Sequence, residues 1–458
     1  MKYYFRMTKS QHALLRSHLF PGDGKEAVAL LTCGRRKGQD RHVFMPHKVR
    51  VVPYKVCDRH ADRITWPTDL VEQVLREAFD KQEAIVKVHS HPGGYRQFSS
   101  TDDDSDRKLF SSIAMFLNDE LPHASIIMLP DGEMFGRVIE NEGQVTGLLE
   151  SIMVVGHDLS IWRSEHNETQ TEAFHLRHLQ AFGSGTITLL KNLSVAIVGC
   201  SGTGSIVAEQ LARLGVGRLV LVDPDKVEDK NLNRILNSHK VDVGHYKVHI
   251  LASAIARMGL NQTILPLAMN LINPEAVQKI AECDVVFGCM DGVEGRHMLN
   301  RLATFYTLPY FDVGVRLDAD KRGGIDSIAG AVHYLQPGLS SLLSRGTYDM
   351  KRVEAEEIRR TDPERYRRQV KEGYIRGAEE DRPAVISVNM FYSALAVNEF
   401  LARLHPYRNL SNENFAYVGG SLSEMQFYHE TETIPCSILH RHVGRGDVVP
   451  LLERPSLS

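Results

Sequence analysis

Residues 193–223 read LSVAIVGCSGTGSIVAEQLARLGVGRLVLVD, and this stretch decides the fold. An apolar run ends in the glycine-rich turn Gly199-Cys200-Ser201-Gly202-Thr203-Gly204, a helix-period segment follows over Ser205–Leu214, and a second apolar run closes at Asp223. Strand, glycine turn, helix, strand is the unit of a parallel, doubly wound α/β sheet. Glycines let the backbone approach phosphates, and a helix N-terminus favours negative charge. Asp223, 24 residues after Gly199, stands where an acid can bind ribose hydroxyls. Ser201 occupies the second glycine position of the usual dinucleotide fingerprint, and the turn alone suits NAD, FAD or ATP equally.

Working outward, further strands are expected at Asp284–Gly288 and Pro309–Val313, and an apolar-faced helix over Ser387–Leu404 should pack back on the sheet. Within Asp349–Arg382, 20 of 34 residues are charged, which reads as a solvated helical insertion spanning 338–382. The segment before residue 157 is of another kind. Short β-type runs (Ala27–Leu31, Ile85–Val88, Ala124–Met128) surround one amphipathic stretch, Asp69–Lys81, and the polar Ser164–Glu172 reads as linker. The expected organisation is a mixed α/β domain over 1–156, a linker over 157–173, a Rossmann-like doubly wound domain over 174–410 and a C-terminal tail over 411–458.

Composition removes whole classes. The 458 residues suit two to four domains, with 43% hydrophobic and 24% charged residues as in ordinary globular chains. Lys+Arg total 54 and Asp+Glu 57, a formal charge of −3, which argues against a dedicated nucleic-acid binder. No apolar run approaches the 18 or so residues of a membrane span, and the opening MKYYFRMTKSQHALLRSHLF has no apolar block for a secretory signal. Six cysteines without a C-x-x-C pair predict a reduced, cytoplasmic protein with no disulfide scaffold.

Two constellations carry chemistry. His89-Ser90-His91-Pro92 follows the run IVKV, and alternate strand residues share a face, so both imidazoles can reach one metal. Asp102, eleven residues after His91, can return as a third ligand. Two imidazoles and a carboxylate leave a position open for water, as in a catalytic zinc site. The stretch HSHPGGYRQFSSTD resembles the JAB/MPN metalloprotease (JAMM) signature, His-x-His-Pro followed by Ser-x-x-Asp, and Glu26 in KEAVALLTCG sits where that family places a glutamate. The resemblance implies Zn²⁺ held by His89, His91 and Asp102, Glu26 as the base for the metal-bound water, and Ser99 beside the oxyanion. Such domains cleave peptide or isopeptide bonds after the C-terminal glycine of ubiquitin-like proteins.

The second constellation lies downstream of the glycine turn: Asn231-Leu232-Asn233-Arg234, then Gly244-His245-Tyr246-Lys247, then Gly288-Cys289-Met290-Asp291. An arginine and a lysine beside phosphates, with a carboxylate able to hold Mg²⁺, suit attack on an α-phosphate; hydride transfer needs no such cluster. The ordered set VDPDKVEDKNLNR, GHYK, GCMDGVEGR resembles the ThiF/MoeB-like adenylyltransferases and the adenylation domains of ubiquitin-activating enzymes. That resemblance implies a glycine loop over Gly199, Gly202 and Gly204, with Asp223 on the ribose of ATP and Asn231, Arg234 and Lys247 on its phosphates. Asp291 would hold Mg²⁺, and Arg177 would reach an ATP phosphate, often from a partner subunit.

Where many relatives carry P-G-x-x-C-L-x-C, this chain has Pro337-Gly338-Leu339-Ser340-Ser341-Leu342-Leu343-Ser344, so a structural zinc is not expected. An acyl group could then pass to Cys436, to Ser341 or Ser344 as an oxyester, or directly to a partner. The two resemblances together imply a bacterial ubiquitin-like pathway enzyme, in a conjugation operon linked to phage defence, that adenylates a C-terminal glycine and carries a zinc peptidase on the same chain. They also imply a homodimer and a conjugating-enzyme-like partner. A sulfur-carrier adenylyltransferase, a binding scaffold with dead sites and an NAD oxidoreductase are the rival readings.

Overall fold

The computed structural model describes residues 1–67, 69–79, 82–118, 120–140, 143–164, 173–320, 322–372 and 383–458. The N-terminal half is built from β1 (Lys2–Thr8), α1 (Lys9–Leu19), β2 (Val28–Lys37), β3 (Arg41–Val51), the small hairpin β4 (Asp58–Arg59) and β5 (Ile64–Thr65), and α2 (Asp69–Ala78). It continues through β6 (Ala84–Ser90), α3 (Ser100–Leu117), β7 (His123–Met128), β8 (Met134–Glu140), β9 (Gln144–Val155) and β10 (Leu159–Arg163). The sheet runs β1-β3-β2-β6-β7-β8-β9-β10, and β1 also pairs with β9. Seven strands therefore close on themselves, and closure removes the unpaired edges that such a sheet would otherwise offer. The amphipathic stretch is α2, whose Val71, Val74, Leu75 and Ala78 are buried at helical spacing.

The second half holds α4 (Leu176–Asn192), β11 (Ser194–Val198), α5 (Gly202–Leu214), β12 (Arg218–Val222), α6 (Lys247–Ala256), β13 (Thr263–Leu267), α7 (Pro274–Ala281), β14 (Val285–Gly288) and α8 (Val293–Phe305). After these come β15 (Tyr310–Ala319), β16 (Ile325–Leu335), α9 (Met350–Thr361), α10 (Pro363–Lys371), α11 (Ile386–Leu404), β17 (Tyr417–Ser421) and β18 (Gln426–Glu430). The sheet order is β13-β12-β11-β14-β15-β16-β17-β18. Its first five strands are parallel, in the doubly wound order expected, and the last three continue antiparallel. Helix α11 packs where expected, burying Tyr392, Ala396 and Phe400 in the core with Phe287 and Phe311 of β14 and β15.

Three expectations about the boundaries need correction. The linker expected over 157–173 opens as strand: Leu159–Arg163 pairs antiparallel with β9, because its apolar residues join the core; Glu165–Glu172 lie outside the described residues. The tail expected over 411–458 supplies β17 and β18, and beyond them Leu452 and Leu457 are buried in the core of the second half. The charged insertion is helical in α9 and α10, with 373–382 outside the described residues, but it is not wholly solvated. Val353 is buried in the core, and Arg360 pairs with Glu294 at 2.8 Å.

The two halves share their interior. Met153, Val155 and Leu159 lie in one core cluster with Val195 and Leu211, and Tyr4, Val43 and Met45 in another with Val198 and Leu302. Charges are buried at the same junction. Arg41 donates to Asp284 at 2.7 Å, Arg6 to the carbonyls of Ala281 and Tyr306, and Arg36 to Glu282 at 2.8 Å and Asp447 at 3.0 Å. No helix among the described residues is long and apolar enough to cross a membrane.

Candidate active sites

Strand β6 ends at Ser90, so His89 and the following His91 project together, as their spacing predicts. Helix α3 returns the carboxylate. Ser99 caps its N-terminus: the Ser99 backbone N–H and hydroxyl donate to Asp102 Oδ2 at 2.7 and 2.8 Å, and Asp102 N–H donates back to Ser99 Oγ at 3.2 Å. That reciprocal cap fixes Asp102 in the first turn. His89 Nε2 stands 2.9 Å from Asp102 Oδ1 and His91 Nε2 3.5 Å from Asp102 Oδ2. The three residues offer ligand atoms within 4.8 Å of one another.

These residues fit a zinc ion. Both ring nitrogens of His89 are buried without a well-formed hydrogen bond, an arrangement costly for a purely structural histidine. Burial, reinforced by Lys87, pushes His89 down to about 4, which keeps it the neutral imidazole a metal needs. His91 Nδ1 hydrogen-bonds the Tyr95 carbonyl at 2.8 Å; a carbonyl only accepts, so Nδ1 carries the proton and Nε2 is left to coordinate. Asp102 is held far below the carboxylate range: burial opposes this, and the imidazoles of His89 and His91 against its two oxygens outweigh it.

Glu26 precedes β2 and is 4% exposed. Burial pushes its carboxyl up to about 7, with His91 opposing and Asp102 adding, the range of a group that takes and gives protons near neutrality. Glu26, His89 and Asp102 line a cavity of about 20 Å³ together with Arg63, Ile64 and Trp66, room for about one water molecule. In this state Ser99 holds Asp102, and its hydroxyl is committed to that bond.

The second site opens where β11 and β14 meet at the point of strand-order reversal, the place where doubly wound sheets bind ligands. A cavity of about 480 Å³ is lined by Gly199, Asp223, Asn231, Arg234, Lys247 and Asp291, among others. Gly199 has φ +91°, the left-handed conformation that favours glycine. Asp223 is held by two backbone amides, accepting from Cys200 N–H at 2.7 Å and Asp225 N–H at 2.8 Å, and burial raises its carboxyl against the pull of Lys247. Lys247 pairs with Asp225 at 2.8 Å. Asn231 is buried, its Oδ1 accepting from Glu228 N–H at 3.1 Å. Arg234 donates to the Lys230 carbonyl at 2.8 Å. Asp291 is exposed at the cavity, and oxygen donors of this kind fit Mg²⁺.

Three of the expected residues are placed differently. Gly202 and Gly204 lie off the cavity lining: a Cβ on Gly204 would stand 1.7 Å from the Gly199 carbonyl oxygen and one on Gly202 2.3 Å from Asn389, so they admit α5 close to the turn and to α11. Arg177 also lies off the lining and hydrogen-bonds Gln180 at 3.0 Å on the exposed side of α4. Of the acyl-acceptor candidates, Ser341 and Cys436 are enclosed and Ser344 is exposed. Ser341 and Ser344 bond each other's backbone amides, with Ser341 1% exposed, and Cys436 is 2% exposed. Sequence reading missed Glu294 and Glu356. Glu356 of α9 accepts from the Glu294 N–H at 2.8 Å and lines the cavity, and nothing in a run so rich in charge singles it out.

Comparison with known proteins agrees with this architecture. The ThiF family matches residues 175–431 and the prokaryotic homologues of the JAB domain match residues 8–138. Adenylyltransferase and sulfurtransferase MOCS3 of Danio rerio is 36% identical over 120 residues, 26% of this chain and 26% of that protein. Ubiquitin-like modifier-activating enzyme 5 of Culex quinquefasciatus is 30% identical over 161 residues, 32% of this chain and 38% of that protein. The chain thus spans a quarter to two fifths of these relatives. The crystal structure of E. coli MccB with ATP covers 62% of this chain and 77% of that one at 19% identity, with a TM-score of 0.46. With more than half of its length in one family match and the JAB-type match preceding it, the chain belongs to the ThiF family and carries a JAB-type domain N-terminal to the family's α/β fold.

Proposed function

We propose that the second half adenylates the C-terminal glycine of a ubiquitin-like protein. The supporting observation is the convergence of Asp223, Asn231, Arg234, Lys247 and Asp291 on one cavity beside the Gly199 turn. A carboxylate oxygen of the partner attacks the α-phosphorus of ATP, the bond to the β-phosphate oxygen breaks, and an acyl adenylate and pyrophosphate result. Asp223 orients the ribose. Asn231, Arg234 and Lys247 neutralise charge growing on the phosphates, and Lys247 exchanges Asp225 for phosphate to do so. Asp291 would hold Mg²⁺, which supplies further charge neutralisation. Arg177 acts in trans from a second subunit of a homodimer, consistent with its exposed position off the cavity.

Five of the six cysteines are buried and Cys57 is half-buried, which favours passing the adenylate directly to a conjugating-enzyme-like partner over an acyl-enzyme. The scarcity of accessible thiols also weighs against the sulfur-carrier reading.

The first half is a zinc-dependent peptidase acting on the same glycine-tailed class. His89, His91 and Asp102 would hold the metal, which supplies Lewis acidity and an activated water. Glu26 accepts the proton from the attacking water and passes it to the leaving amine, while Trp66 and Arg63 limit access to the site. ATP–pyrophosphate exchange by the full chain tests the adenylation reading. Exchange that depends on a partner ending in free glycine supports it, and tight NAD binding without exchange for any such partner refutes it.

A further inference from the structure

Beneath the metal-site residues lies a second, buried set of charges that the proposed chemistry does not use. Lys87 precedes His89 by two residues on β6, and Asp106 follows Asp102 by four on α3. Two strand residues rise about 6.7 Å and four helical residues about 6.0 Å, so strand and helix are nearly commensurate and meet in two successive rungs. The first rung is His89 with Asp102, 2.9 Å apart. The second is Lys87 against Asp106, residues 3% and 1% exposed.

Arg137 completes the second rung. Lys87 is in register with Ser125 on β7, and Ser125 with Arg137 on β8, so the two cations lie in one cross-strand row under the helix. Arg137 donates to Asp106 Oδ2 through Nε at 3.1 Å and Nη2 at 2.7 Å, and it also binds Asp103. Its guanidinium lies 3.9 Å from the Phe98 ring centre, next to the capping Ser99. One arginine thus grips both sides of the segment that delivers Asp102.

We propose that Lys87, Asp106 and Arg137 are positioning residues for the metal centre, setting the register of α3 on β6 so that Asp102 meets His89 and His91. A buried ionic cluster stabilises little compared with apolar residues of similar volume, but it tolerates few alternative registers. The inference rests on the metal-site reading, and its test separates the two. In the full chain, Lys87→Met, Asp106→Leu and Arg137→Met together remove every charge of the rung, and Arg137→Lys keeps the charge while losing the fork.

Zinc affinity, read by competition with a chelating dye, is expected to fall 10- to 100-fold in the triple variant, and by less in Arg137→Lys, with thermal unfolding of the latter near wild type. Wild-type zinc affinity in both overturns the proposal, and Arg137→Lys alone decides it if the triple variant does not fold. Crystal structures of the metal-free proteins give a readout independent of zinc. An His89–Asp102 separation widened beyond 2.9 Å in Arg137→Lys is expected, and an unchanged one overturns the proposal. A wild-type chain that binds no zinc, with that separation still widened in the variant, counts against the metal reading alone.

Discussion

Glu356 Oε2 accepts a hydrogen bond from the Glu294 backbone N–H at 2.8 Å, so a side chain 62 residues downstream caps helix α8. Gly292, the residue before that helix, has no capping side chain of its own, and a Cβ there would stand 3.2 Å from the Glu356 carboxylate. The cap therefore fixes the turn that presents Asp291.

Glu356→Ala should cost about 1 kcal/mol of stability, as losing an N-cap does. It should lower the rate of ATP–pyrophosphate exchange and raise the Mg²⁺ concentration needed for half-maximal exchange. Glu356→Gln retains the acceptor oxygen and should recover most of both. An alanine variant with wild-type Mg²⁺ dependence would show that the cap does not govern Asp291.

Glu26→Gln should leave one zinc per chain and reduce cleavage of a tail-extended ubiquitin-like substrate by about 10²–10⁴-fold, the usual contribution of a general base. His89→Ala should lose the zinc. Metal analysis beside a cleavage assay distinguishes these, and normal cleavage by the glutamine variant would exclude Glu26 as the base.

The junction of the two halves should unfold as one unit. Asp284 accepts from Arg41 and from the Ser194 N–H at 2.9 Å, all of it buried. Asp284→Ala strands Arg41 without its partner, and breaking a buried pair costs about 3–5 kcal/mol. Calorimetry should record a single transition for the wild-type chain and a markedly lower midpoint for the variant. Two separate transitions in the wild type would contradict a shared core.

Acid should destabilise the fold through buried histidines that stay neutral in the folded chain. Burial, then the positive charge of Arg345 and Arg296, lowers His333 to about 3, and burial with Arg454 lowers His297 to about 4. Unfolded histidine titrates near 6.5, so below that pH the unfolded chain binds protons that the folded chain does not, and stability falls as pH drops toward 4. The thermal midpoint should decline steadily from pH 7 to pH 4, and His333→Gln should flatten the slope. An unchanged slope would mean that His333 protonates freely in the folded state.

Incubation with ATP and a glycine-tailed partner should give no covalent enzyme adduct on a non-reducing gel. Burial and Asp312 push the Cys289 thiol up to about 12, leaving little thiolate at neutral pH, and Cys436 is enclosed. A band sensitive to reducing agent and lost in Cys436→Ala would establish a thioester; one resistant to it and lost in Ser341→Ala would establish an oxyester.

Local signals were legible in the sequence, and long-range ones were not. The turn at Gly199 and the pairing of His89 with His91 depend on neighbours in the chain, so periodicity and spacing reveal them. Strand β13 escaped because Pro266 interrupts it, a residue tolerated there only because the strand lies at the sheet edge. β18, Gln426–Glu430, is exposed throughout and shows no alternation. Arg6, Arg36 and Arg41 look like surface charges, since their partners lie hundreds of residues away. Gly202 and Gly204 matched a binding pattern, but packing against Asn389 and the Gly199 carbonyl uses the same residue type.

The segment around Asp447 has a consequence for how the protein is made. The Arg35 carbonyl receives the Asp447 N–H at 2.7 Å, and Arg36 reaches the Asp447 carboxylate. A ribosome releases the N-terminal barrel hundreds of residues before it translates these contacts. Arg6, Arg36 and Arg41 thus remain wet on a nascent surface until Ala281–Asp284 and Asp447 emerge, and a chain stalled before that point exposes three cations and the apolar Tyr4, Val43 and Met45. Translation order therefore leaves this face of the JAB-type domain uncovered until most of the ThiF-family domain has been made.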